Sequence, residues 1–208
     1  MKPLEFSKVY IIESLQHRDV KTGTNLFNET VKPRMLQKGL ENQCQLITLT
    51  TKSEFFDALT EIKNQIIYNH EYPIIHFEMH GSKEGLVLES REIIRWQDLQ
   101  EKMIEMNKLC ENNLFISMAT CFGGYIYTVI SPKLRTPFWG FIGPFEEVGQ
   151  IELLDNYTAS VTMVSGGDST TLTSTLNVPS DYFPLMVEYI KAQLGFERAQ
   201  PVDAANDG

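Results

Sequence analysis

Cysteine is scarce in this chain: Cys44, Cys110 and Cys121 are the only three. An odd, sparse set argues against a secreted disulfide framework and suits a reducing compartment. Positive charge is also short, 18 Lys+Arg against 27 Asp+Glu for a net charge of −9. With no basic cluster the chain is a poor phosphate-backbone binder, which disfavours nucleic acid as the main partner. No apolar run reaches the roughly 18 residues that suggest a membrane helix, so no membrane partner is expected. Glu5, Lys8 and Glu13 interrupt any hydrophobic leader at the start, and the expected location is cytoplasmic. Repeats, linkers and low-complexity blocks are absent too. What is present is an ordinary globular balance, 42% hydrophobic and 22% charged over 208 residues, enough for one domain with a core that needs no staples.

Short apolar segments alternate with amphipathic ones. Val9-Tyr10-Ile11-Ile12 reads as a first strand. A helical segment from about Thr24 to Leu40 follows, kinked or restarted at Pro33, which lacks an amide proton. Gln45 to Leu49 reads as a second strand. Ser53 is the expected cap of a helix whose Phe55, Leu59, Ile62 and Ile66 fall at helical spacing. Pro73 to Met79 is a third strand, and Glu84 to Glu89 a short extra one after a turn at Gly81-Ser82. Trp96, Leu99, Met103, Met106 and Cys110 mark the next helix face, and Leu114 to Ala119 the fourth central strand. A short helix over Tyr125 to Ile130 and a fifth strand over Phe138 to Ile142 come next. Val148, Ile151, Leu154, Thr158 and Val161 line a further helix; Phe183, Val187, Ile190 and Leu194 line the last. This order predicts an α/β fold, a mostly parallel sheet with helices on both faces. In such folds ligands bind at the C-terminal ends of the strands.

Two of those ends carry unusual residues. The third strand ends in Met79-His80-Gly81-Ser82 and the fourth in Ala119-Thr120-Cys121-Phe122-Gly123-Gly124. Consecutive parallel strands are usually neighbours, about 4.8 Å apart, so His80 and Cys121 are expected on one rim of the sheet. A thiol attacks a carbonyl well only as a thiolate, and an imidazole can take its proton and return it to a leaving amine. The resulting oxyanion needs fixed N–H donors. Gly81 leaves room for one, the Cys121 amide can supply another, and Gly123-Gly124 let the chain turn without crowding a substrate.

His-Gly after an apolar strand and Cys-x-Gly-Gly after the next resemble the caspase-like cysteine peptidases, including the bacterial CHAT peptidases. IIHFEMHGSKEGLVLE is similar to their strand, His-Gly turn and hairpin, LFISMATCFGG to their nucleophile strand, and FWGFIGPFEEVGQ to the CHAT C-terminal half. The resemblance runs from about Val9 to Leu194. It implies a caspase-like three-layer α/β/α sandwich over residues 1–198; the stretch 199–208, small and polar, reads as a flexible tail. It implies a cysteine endopeptidase in which Cys121 is the nucleophile, His80 the general base and acid, and the Gly81 and Cys121 amides the oxyanion hole. A protein or peptide is the implied substrate, and no cofactor is required. Relatives of this kind are often regulated effectors of bacterial signalling, cell death or phage defence, commonly held inactive until an activating protein partner or small signalling ligand arrives. Two residues depart from the caspase pattern: Ala119 stands where caspases carry glutamine, and Phe122 stands near where they carry arginine. Both put aspartate specificity in doubt. Lys21-Thr22-Gly23-Thr24 echoes the basic residue and small-Gly-Thr turn that read an acidic substrate side chain, making Lys21 a candidate for substrate binding.

Other residues read more plainly. Cys44 and Cys110 sit at apolar positions and read as core. His76, Glu78 and His80 do not make a metal site on a strand, where four residues span about 13 Å and zinc–nitrogen bonds are only about 2.0 Å. Glu78 lies on the same side as His80 and is a candidate to orient it. Lys21-Thr22-Gly23-Thr24 lacks the glycine-lysine order of a phosphate loop. The rival reading is a catalytically inactive caspase-like scaffold or interaction module.

Overall fold

In β1 (Lys8–Ser14) the side chains alternate between two apolar clusters, Tyr10 and Ile12 entering one and Ile11 the other. Such two-sided burial belongs to a central strand. The structure, a computed structural model, describes residues 6–149. β1 pairs in parallel with β2 (Cys44–Thr48) and with β3 (Pro73–Ser82). β3 pairs in parallel with β6 (Phe115–Ala119), and β6 with β7 (Gly140–Ile142). The parallel sheet therefore runs β2-β1-β3-β6-β7. A hairpin of β4 (Gly85–Val87) and β5 (Ile93–Arg95) continues antiparallel from the last residues of β3. The fold is thus α/β with a mostly parallel mixed sheet.

Helices cover both faces. On one side α3 (Lys52–Asn69) and α4 (Trp96–Leu109) bury Phe55, Leu59, Ile62, Ile66, Trp96, Leu99, Met103 and Met106 against Ile75, Phe77, Ile116 and Met118. Each such side chain stabilises the fold by about 1.5–3 kcal/mol on burial. On the other side Leu26 of α1 (Thr22–Leu26), Val31 of the turn that follows and Met35 of α2 (Lys32–Gln37) pack on Ile11, Cys44 and Ala119. No helix of the described residues is long and apolar enough to cross a membrane.

The departures from expectation have local causes. The helix expected over 24–40 runs from Thr22 to Gln37 and is broken by a π-helical turn at Phe27–Val31. Pro33 has no N–H to give to the turn before it, and the looser turn absorbs that loss. Thr51, not Ser53, caps α3. Its hydroxyl accepts from the Glu54 amide while the Glu54 carboxylate takes the Thr51 amide, a capping box. β5 was not expected; its three residues are too few to show a period. The short helix after Cys121 is a 3-10 turn over Gly123–Val129, and the fifth strand shortens to β7. The two helices expected beyond Gly149 and the 199–208 tail lie outside the described residues; Val148 itself is not helical.

Candidate active site

The β3–β6 register places the two expected partners. Ile74 stands beside Phe115, and the same offset runs on to Glu78 beside Ala119. Two further residues along each strand lead to His80 and Cys121. The chains stay close beyond the ladder: a Cβ on Gly81 would overlap the Thr120 hydroxyl and the Cys121 carbonyl oxygen. Only glycine permits that approach. The hairpin beyond it is closed by the two-residue turn Lys83-Glu84, with Ser82 paired to Gly85. Ladder alternation then makes Gly81–Leu86 a non-hydrogen-bonded pair, with the Gly81 N–H facing away from β4.

His80 is held from a loop that sequence reasoning passed over. Its Nε2 lies 2.8 Å from Asp19 Oδ2, and Nδ1 has no hydrogen-bond partner among the described residues. The imidazole is 41% exposed, so a substrate can reach it, while the Asp19 carboxylate is 21% exposed. Asp19 Oδ2 also accepts from the Gln16 amide at 2.8 Å. Burial pushes the Asp19 carboxyl up, but the hydrogen bonds from His80 and Gln16 and the charges of His80 and Lys21 outweigh it. The group is held below its ordinary range. Glu78, the residue expected to orient His80, is engaged elsewhere. Its Oε1 meets His76 Nε2 at 3.0 Å and its Oε2 accepts from the Thr22 hydroxyl at 2.6 Å. Those bonds turn it down toward α1 rather than along the strand.

Cys121 is the one cysteine that is not buried. Burial pushes the Cys44 and Cys110 thiols up, which suits inert core residues. The Cys121 thiol donates to the Val148 carbonyl oxygen at 3.7 Å and shares no hydrogen bond with His80 among the described residues. Phe122 follows with φ of 59°, a left-handed backbone that an aromatic residue adopts at a cost of about 1–2 kcal/mol. Neighbouring bonds hold it there: the Phe122 amide donates to Glu146 O at 3.0 Å and the Gly124 amide to Pro144 O at 2.7 Å. The Phe122 ring meets Tyr125 edge-on, and the Lys83 ammonium lies 5.6 Å from its centre. Gly124 packs so near Phe145 that a Cβ would lie 2.9 Å from that ring.

Beneath the rim, on the α1 face, lies a buried polar layer. His76 Nδ1 meets the Ser117 hydroxyl at 2.8 Å, completing a Ser117–His76–Glu78–Thr22 chain. Beside it Glu13 accepts from the Thr24 amide at 2.9 Å and hydroxyl at 2.8 Å. Lys21, the candidate for substrate binding, directs its ammonium to the carbonyl oxygens of Leu15 and Gln16, the latter at 3.1 Å. It also lines a cavity of about 350 Å³ over the ends of β1 and β2, with Glu13, Thr24, Thr50, Glu54 and Glu89. Among the described residues no three His, Cys, Asp or Glu side chains are grouped as metal ligands would be.

The structure thus brings the ends carrying His80, Gly81 and Cys121 together and adds Asp19, with Lys21 in the same loop. Asp19 sits 61 residues before His80 in an irregular polar segment, so no period or motif marks it. The one usable clue is position, a carboxylate just past the C-terminal end of a central strand. No protein-family model matches the chain, and no curated protein or solved structure matches it either.

Proposed function

We propose that this chain is a cysteine endopeptidase of caspase-like type, with Cys121 as nucleophile and His80 as general base and acid. The observation that carries the reading is the parallel β3–β6 register. It ends two residues short of both side chains and leaves Gly81 against the Cys121 backbone. The resemblance in motif order and the α/β architecture support the same reading. In the first half-reaction the thiol proton passes to the His80 imidazole and the sulfur attacks the scissile carbonyl. The amides of Gly81 and Cys121 stabilise the oxyanion. His80 returns the proton to the leaving amine, and the thioester that remains is hydrolysed by a water activated by the same ring. Lys21 is the residue proposed to meet a substrate side chain, which requires its ammonium to leave the loop carbonyls. The expected setting is cytoplasmic, as a regulated effector in bacterial signalling, cell death or phage defence, with a protein partner or small ligand as activator.

The hydrogen bond from the thiol to Val148 O favours a second reading, a caspase-like scaffold with an unengaged dyad. Digestion of a mixed peptide library, read by mass spectrometry, separates the two. Cleavage by the wild type and none by Cys121→Ala supports the peptidase and reports the preferred residue. Absence of cleavage, sustained after native partners or cell extract are added, supports the scaffold.

A further inference from the structure

We propose that Asp19 is a positioning residue that fixes which nitrogen of His80 faces the reaction. The inference rests on the His80–Cys121 reading above and adds the element that decides the proton's route. An ionised carboxylate only accepts hydrogen bonds, so the ring nitrogen 2.8 Å from Asp19 Oδ2 carries the proton. A neutral imidazole has one N–H. With that proton on Nε2, Nδ1 holds a free lone pair, and it has no partner among the described residues. The thiol proton therefore moves to Nδ1 as the sulfur–carbon bond forms. The resulting imidazolium keeps its Nε2–H on Asp19, and Nδ1 hands its proton to the leaving amine. Asp19 stays ionised throughout.

Topology and local bonding both serve that role. The chain leaves β1 toward β2 on one side and leaves β3 toward β6 on the other, so connections diverge at the β1–β3 boundary, where α/β sheets open a crevice. Asp19 reaches across that boundary to His80. Its loop is fixed rather than loose: the Asp19 amide donates to Gln16 O at 3.0 Å, the Gln16 amide donates to Asp19 Oδ2, and Lys21 gathers the Leu15 and Gln16 carbonyls. At the loop's far end Thr22 and Thr24 are tied to Glu78 and Glu13. Lys21 is the other charged group that bears on the carboxylate.

The test uses the full chain and two readouts that do not require proteolysis. Nitrogen-15 spectra of the imidazoles report the His80 tautomer, and the rate of Cys121 alkylation by iodoacetamide, read by mass spectrometry, reports base function. The wild type is expected to show the Nε2–H form. Asp19→Ala is expected to populate both tautomers and slow Cys121 alkylation at least about tenfold, part of the hundredfold or more that a general base supplies. His80→Ala sets the floor. Asp19→Asn is the second variant: the Gln16 amide draws the side-chain oxygen into the Oδ2 position, so the Nε2–H form is expected to persist without the charge. An unchanged tautomer and unchanged alkylation in Asp19→Ala overturn the inference. If the tautomer follows Asp19 but no peptide is ever cleaved, the peptidase reading fails and the positioning role stands. If peptides are cleaved and the tautomer ignores Asp19, only the positioning role fails.

Discussion

On the α3–α4 face β3 presents Ile75, Phe77 and Met79, while on the α1 face the alternate residues of the same strand are His76, Glu78 and His80. β6 repeats the division, with Ile116 and Met118 on one side and Ser117 on the other. One face is a continuous apolar core. The other carries a buried polar layer in which Glu13 and Glu78 stand side by side in register, each supplied with donors. Burying carboxylates stabilises a fold less than burying aliphatic side chains does. What the polar face gives is placement: it holds the first turn of α1, which holds the loop bearing Asp19 and Lys21. Strand alternation lets one sheet be stable on one side and exact in geometry on the other.

The comparison breaks most sharply at Cys121. Cys121→Ala is expected to lower peptide cleavage about a thousandfold or more while the thermal midpoint stays within a degree or two, because the side chain is half-exposed and makes one weak hydrogen bond. A large loss of stability would mean that the thiol is a packing element. Phe77→Ala tests the apolar face. Its ring is fully buried and stacks on Phe55 at 5.7 Å, so urea titration should show a loss of about 3–5 kcal/mol. Glu78→Gln on the other side of the same strand is expected to cost about 1–3 kcal/mol, because its shape and the Thr22 bond survive while the charge facing His76 is lost. Equal costs would show that the two faces do not differ as drawn. Gly81→Ala is expected to cost about 1–3 kcal/mol of stability through overpacking. It should also slow Cys121 alkylation, since the Thr120–Cys121 backbone must move; normal alkylation would place the strand ends farther apart than this.

The apolar face was legible in the sequence because it repeats. Phe55, Leu59, Ile62 and Ile66 advertise a helix, and the five parallel strands are short apolar runs between polar ones. His80 and Cys121 were legible by another route, as unusual residues where those runs end. The polar face was harder to read. His76 and Glu78 alternate correctly, but alternation does not say which partner each will take, and Glu78 turned to His76 and Thr22 instead of His80. Asp19 was illegible because it lies in a loop without a period, and its contact with His80 exists only once β1 and β3 are neighbours. The three-residue β5 and the π-turn before Pro33 follow from the hairpin and the proline, constraints that hydrophobic spacing does not carry.

The smallest effect expected is also the most direct check on the loop. In the fold Asp19 is held below the ordinary carboxylate range, chiefly by its bonds to His80 and Gln16 working against burial. A carboxyl lowered in this way binds its proton more weakly when folded than when unfolded. Its contribution to stability is therefore complete above the ordinary carboxylate range and is lost as the pH falls through the folded value. Glu54, Glu92 and Asp98 are lowered as well, by hydrogen bonds elsewhere in the fold. They are shared by wild type and variant and cancel in the difference. The stability difference between wild type and Asp19→Asn, from urea titrations across the acid range, should stay constant down to the ordinary carboxylate range and shrink below it. A difference that stays flat throughout would mean that Asp19 gains nothing from its partners in the folded chain, and that the loop holding it is ordered by Lys21, Thr22 and Thr24 alone.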